Sequence, residues 1–178
     1  LPDEIFMSAN RGELQKVVKW LRKGGAIGAL CPTTTDTGRA TAATLLHAAA
    51  GWGHLALVKE LLKRGASIDL QTSLGVTALM NAARFGRRSI VLVLLQHSAN
   101  LDLQDSKGST ALMVAALKGH EPCVQALLRA KANTEMLDEV GDTALQYAEN
   151  EGHTVIAELL RQHTATPEQV AQAAQAAR

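Results

Sequence analysis

A period of 33 residues runs through the sequence and decides most of what it can become. Gly53, Gly86, Gly119 and Gly152 stand 33 positions apart, and Thr44, Thr77, Thr110 and Thr143 keep that interval, each nine positions ahead of its glycine. Written out, the copies read TLLHAAAGWGH, TALMNAARFGR, TALMVAALKGH and TALQYAENEGH. Self-similarity at roughly 20–50 residues is the mark of a stack of like units, none able to bury its apolar face alone. A degenerate fifth copy comes first: Gly12 precedes Val17, Val18, Trp20 and Leu21 as Gly53 precedes Leu57, Val58, Leu61 and Leu62. The step from Gly12 to Gly53 is 41 residues, an excess of eight, and it falls in the Thr-, Gly- and Ala-rich IGALCPTTTDTGRATAA of residues 27–43. Turn signals there predict a long first finger or loop.

Each copy reads as two short antiparallel helices and a turn-rich connection. The threonine hydroxyl caps the first helix, and Thr143 with Gln146 fits the reciprocal capping box. The helix runs through Ala49-Ala50, Ala82-Ala83 or Ala115-Ala116, small enough for close helix approach, and stops at the glycine. The second helix carries Val58, Leu61 and Leu62, then Val91, Leu94 and Leu95, then Val124, Leu127 and Leu128, one apolar stripe that must be buried. Such helices are marginal alone in water, so stability has to come from stacking. Asp69, Asp102 and Glu135, each six residues before Gly75, Gly108 or Gly141, mark projecting turns between copies.

These residues resemble the ankyrin repeat, whose pattern runs Thr-Pro-Leu-His-x-Ala-Ala, then Gly-His, a Val and Leu-Leu, then Gly-Ala before a hairpin. The resemblance covers residues 3–163 and implies an all-α solenoid of helix-turn-helix units, with hairpin fingers and first helices lining a concave face. Leu45, Ala78, Ala111 and Ala144 replace the pattern's proline, and its histidine survives only as His47, giving way to Met80, Met113 and Gln146. Gly65-Ala66 keeps the end of the second helix, whereas Ser98-Ala99 and Lys131-Ala132 lack the glycine, so those two helices are expected to end less cleanly. The copies fall at residues 3–26, 39–71, 72–104, 105–137 and 138–163, making one domain over residues 1–163. In the last, Glu149 and Arg161 replace an alanine and a leucine, as in a copy that caps the stack. Residues 164–178 follow, where Thr166-Pro167-Glu168-Gln169 opens an Ala/Gln-rich helix or tail.

Composition narrows the function. With 18 Lys and Arg against 17 Asp and Glu, bulk charge does not call for nucleic acid. No run approaches the roughly 18–20 apolar residues of a membrane span, and residues 1–25 are too charged for a secretion signal. Cys31 and Cys123 are too few and too far apart for a disulfide framework or zinc cage, which points to a reducing compartment, cytosol or nucleus. His54, His120 and His153 recur at one repeat position, but equivalent atoms in stacked copies lie about 10 Å apart while zinc needs nitrogens at about 2.0–2.1 Å, so a helix-start hydrogen-bonding role is expected and no metal. No phosphate loop or catalytic motif occurs, so neither cofactor nor enzyme activity is expected.

What remains are positions the stack does not need. Just before the glycine come Arg11, Trp52, Phe85, Lys118 and Glu151, and one place earlier Asn10, Gly51, Arg84, Leu117 and Asn150. On the fingers Leu74 and Val76 stand where Lys107 and Ser109 follow in the next copy. An apolar patch of Trp52, Leu74, Val76, Phe85 and Leu117, rimmed by Arg84, Arg87, Lys107 and Lys118, is expected to contact a protein or extended peptide, and Asp142 and Glu151 a basic end of it. The competing reading folds Trp52 and Phe85 back onto helix ends as local core. Residues 1–100 carry 12 basic and 6 acidic side chains, residues 101–178 carry 6 and 11, a polarity that would orient a bipolar partner. A nucleotide-binding regulatory domain, or a scaffold clasped by its C-terminal helix, are the alternatives to a monomeric interaction domain.

Overall fold

Helices pair off along the chain in a computed structural model, which describes residues 1–34, 38 and 40–164. The pairs are α1 (Asp3–Asn10) with α2 (Leu14–Arg22), α3 (Leu45–Trp52) with α4 (Leu55–Lys63), α5 (Ala78–Arg84) with α6 (Arg88–Gln96), α7 (Ala111–Leu117) with α8 (Glu121–Arg129), and α9 (Ala144–Asn150) with α10 (Thr154–Thr164). First helices stack on first helices from α1 to α9, and second helices on second helices from α4 to α10. This is the all-α solenoid expected. One small sheet is added: in the 27–43 excess, β1 (Cys31–Thr34) pairs antiparallel with β2 (Ala40–Ala43), Cys31 opposite Ala43 and Thr34 opposite Ala40. The helix expected after residue 165 lies outside the described residues.

The alanine pairs explain the tight inner layer. Ala49, Ala50, Ala82, Ala83, Ala115 and Ala116 are all fully buried where consecutive first helices meet. Between the layers lie Leu57, Val58, Leu61, Val91, Leu94, Val124 and Leu127, the stripe of the second helices.

The caps are more regular than the sequence suggests. The first helices α3, α5, α7 and α9 each follow a threonine whose Oγ1 accepts from the backbone N–H three residues on, at His47, Met80, Met113 and Gln146. The return bond is made in all four of these: the N–H of Thr44 donates to His47 Nδ1 at 3.3 Å, those of Thr77 and Thr110 to the sulfurs of Met80 and Met113 at 3.4 Å, and that of Thr143 to Gln146 Oε1 at 2.7 Å. A thioether is a weak acceptor but reaches the same place as an imidazole. The second helices expected to end loosely are corrected too. Ser98 and Lys131 adopt φ of 62° and 65°, and Ala99 and Ala132 donate back to Leu94 and Leu127 as Ala66 donates to Leu61. The closing geometry is kept at the expense of left-handed backbone in residues that carry a Cβ.

Neighbouring copies are pinned by one side chain at the start of each second helix. His54 Nε2 bonds to Asn10 O at 2.7 Å, Arg87 Nε donates to Gly51 O at 3.1 Å, His120 Nε2 bonds to Arg84 O at 2.9 Å, and His153 Nε2 to Leu117 O at 3.3 Å. Each takes up a carbonyl at the end of the preceding first helix, one of the orphan acceptors a helix C-terminus leaves. The periodic glycine makes room. At Gly86, whose φ is 65°, a Cβ would stand 2.8 Å from His120 Nδ1, so the position needs glycine for its backbone and again for the ring resting on it. The periodic histidines are thus hydrogen-bonding groups of the stack.

The fingers form a second seam. Ser106 N–H donates to Leu74 O and Glu139 N–H to Lys107 O, both at 2.9 Å, while Gln71 and Gln104 each bridge to the next finger through their side-chain amides. The first finger joins differently: Thr41 Oγ1 meets Ser73 Oγ at 3.2 Å. At the far end Arg161 pairs with Glu149 at 2.5 Å and with Glu158 at 3.5 Å, covering the last copy with charge.

Candidate functional site

First helices and fingers enclose a groove of about 490 Å³ at the N-terminal part of the inner face. Its helical side comes from the last turns of α1, α3 and α5, because the residues just before each periodic glycine point away from the stack. The finger side comes from the second finger, through Leu74 and Val76, from the β1–β2 hairpin, through Thr33, Thr34 and Thr41, and from Asp105 of the third finger, whose Oδ1 is taken by the N–H groups of Lys107 and Ser109. Trp52 is 61% and Phe85 52% exposed, which settles their placement: they are walls of the groove rather than local core.

Of the residues singled out in the sequence, the structure gathers Trp52, Leu74, Val76, Arg84, Phe85 and Arg87 around this groove. Five lie elsewhere. Leu117 is half-buried and does not line the groove, its backbone carbonyl being taken by His153, and Lys118 is the exposed C-cap of α7. Lys107 is exposed on the third finger, Asp142 half-buried on the fourth, and Glu151 is the exposed C-cap of α9. The patch is therefore shorter than the sequence implied, because groove residues change from apolar to charged after the third copy. Arg87 has a structural bond as well: its Nε donates to Gly51 O, so it pins two copies together besides edging the groove.

Residues that sequence reasoning missed on the N-terminal side are Phe6 from α1 and the three hairpin threonines, while Asn10, noted there only for its repeat position, also lines the groove. The eight-residue excess was the signal for the hairpin, but a broken period gives no register and hence no orientation. Asn10 Oδ1 is buried without a hydrogen-bond partner at this end.

Titrating groups near the inner face are held in structural states. Burial above all keeps His47 below the ordinary imidazole range, and its two ring nitrogens are occupied by Thr44 and by Val76 O at 2.9 Å. In the last copy Tyr147 donates to Asp138 Oδ2 at 2.6 Å while Oδ1 accepts from the N–H groups of Val140 and Asp142. Burial and that carboxylate push the Tyr147 hydroxyl up to about 12. For Asp138 burial works upward, but the Tyr147 hydroxyl and the backbone donors outweigh it and hold the carboxyl below its usual range. Burial raises Cys123 to about 11, and burial with the neighbouring Asp3 raises Cys31, so both are neutral thiols rather than nucleophiles. No group of metal-ligating side chains occurs among the described residues, and no helix among them is long and apolar enough to cross a membrane.

The sequence profile of ankyrin repeats, in three copies, matches residues 5–105 and again 95–171. With that match across most of its length, the chain belongs to the ankyrin repeat family. Comparison with curated proteins gave no match.

Proposed function

We propose that this chain is a non-catalytic binding module that holds an extended segment of another protein against its inner face. Ankyrin repeats are in general protein–protein interaction modules. The observation that carries the finer reading is the pair of large aromatic rings, Trp52 and Phe85, left mostly open to solvent on the wall of a groove in a chain with only five aromatics. Exposed rings of this kind, with arginines beside them, are what binding hot spots are made of. The two unpaired, buried thiols support a reducing setting, cytosol or nucleus, and the charged last copy supports a monomer. The basic N-terminal and acidic C-terminal halves would orient a partner of opposite polarity along the face.

The test is binding by Trp52→Ala combined with Phe85→Ala, read against peptides selected from a displayed random library on the wild-type protein. Loss of such anchors costs about 2 kcal/mol or more, about thirtyfold in affinity, with the melting temperature little changed. A folded double variant that binds the selected peptides as tightly as wild type overturns the reading. A second reading, a small anionic aromatic ligand such as a nucleotide, is favoured only by the arginines standing beside the same rings; thermal stabilisation by ATP would select it.

A further inference from the structure

Gly51 is the residue the fold does not account for. It occupies the last turn of α3, where the other copies carry Asn10, Arg84, Leu117 and Asn150, so the stack accepts side chains of every kind there. Its backbone is outside the left-handed region, unlike the periodic glycines. A Cβ at this position would meet Phe85 at 3.5 Å and Asn81 Cβ at 3.8 Å, ordinary contact distances. Glycine inside a helix is destabilising relative to alanine, and nothing within the chain requires it here. It does shape the groove: it lies between Trp52 and Phe85, where any longer side chain would fill the space or lift the Phe85 ring.

Arg87 is a second, independent departure at the same spot. The bond it makes to Gly51 O is made by histidine in the other three places, so the pin needs only a neutral ring N–H. This copy alone brings a permanent cation, and it does so at the groove. Arg87 is exposed, its Nε is engaged, and it has no ion-pair partner among the described residues. A third observation bears on the occupant's backbone: the side-chain amide oxygen Oδ1 of Asn10 is buried and lacks a donor at one end of the groove, which a peptide N–H would supply.

Resting on the concave-face reading above, we propose that the Trp52–Phe85 groove selects acidic extended peptides, seating one aliphatic side chain against the Trp52 and Phe85 rings, where Gly51 adds no side chain of its own, and pairing an adjacent carboxylate with Arg87. Gly51 sets the depth of the slot and Arg87 its charge preference.

The experiment uses the full chain and the best acidic peptide recovered from the displayed library, fluorescein-labelled and followed by anisotropy, beside the same peptide with Asp and Glu changed to Asn and Gln. Wild-type protein is expected to recover peptides that place Asp or Glu next to Leu, Ile, Val or Met. Gly51→Leu, which places a side chain against the Phe85 ring, is expected to remain folded by its cooperative melt and to bind about tenfold or more weakly. Arg87→His keeps the pin, and is expected to stay folded while losing most of the preference for the acidic peptide over its amide counterpart. Selection of peptides without acidic residues, or unchanged binding by both variants, overturns the proposal. If Trp52→Ala with Phe85→Ala abolishes binding while Gly51→Leu and Arg87→His do not, the concave-face reading stands and this one falls. Binding indifferent to all of these variants, or a library that yields no binder, overturns both.

Discussion

At the scale of single residues, the copies differ in how they meet one geometric demand. The second helices of the second, third and fourth copies all close with a left-handed residue, yet only Gly65 suits it; Ser98 and Lys131 hold φ of 62° and 65°. A side chain in that region costs about 1–2 kcal/mol, and glycine would relieve it while giving back part as unfolded-state freedom. Ser98→Gly and Lys131→Gly should therefore each raise stability by about 1 kcal/mol, read as a higher urea midpoint at constant slope. The cost was not legible in the sequence as strain. Absence of the glycine suggested a frayed helix end, because the pattern says where a cap belongs and not whether the surrounding contacts will impose it. Likewise Met80 and Met113 stand where the pattern has its histidine. That their sulfurs accept the threonine N–H depends on a rotamer, which composition does not reveal.

At the scale of elements, His47 joins α3 to the second finger. One ring nitrogen takes the Thr44 N–H and the other donates to Val76 O, an arrangement that suits the neutral ring. Burial holds its folded-state pKa below that of the unfolded chain, near 6.5. The sign follows: above about 6.5 both states are neutral and the bridge is fully effective, while below it the unfolded chain takes up a proton that the folded one resists, so stability falls as pH drops through and below that value. Chemical denaturation at about pH 7.5 and 5.5 should show a larger loss for wild type than for His47→Met, the residue used at this place in the next two copies. Equal losses would remove His47 from the pH response. Helix positions, the stripe and the periodic pins were legible in advance, since all depend on spacing within 33 residues. The N-terminal wall of the groove was not: residues 27–43 break the period, and the slot over Gly51 exists only because Phe85, one copy away, lies beside it.

At the scale of the whole molecule, stability is a sum over thin layers, each resting on its neighbours, and the last layer must be insulated from further stacking. Glu149 and Arg161 do this, an ion pair placed where inner copies carry alanine and leucine. Its own contribution to stability is small, because both side chains are about half exposed. We expect it to act against adhesion instead. Replacing both by the inner-copy residues, Glu149→Ala with Arg161→Leu, should leave the monomer folded and produce concentration-dependent association in sedimentation, with the wild type unchanged over the same range. A double variant that stays monomeric would assign the end-capping to something other than this pair.

The hydroxyl contact between Thr41 and Ser73 has one more consequence. Where later fingers are sewn backbone to backbone, a change of length in one would shift the register of the next; between the first and second fingers no such backbone bond occurs among the described residues. Lengthening the first finger is therefore expected to leave the rod beneath it folded, with an unchanged melting temperature.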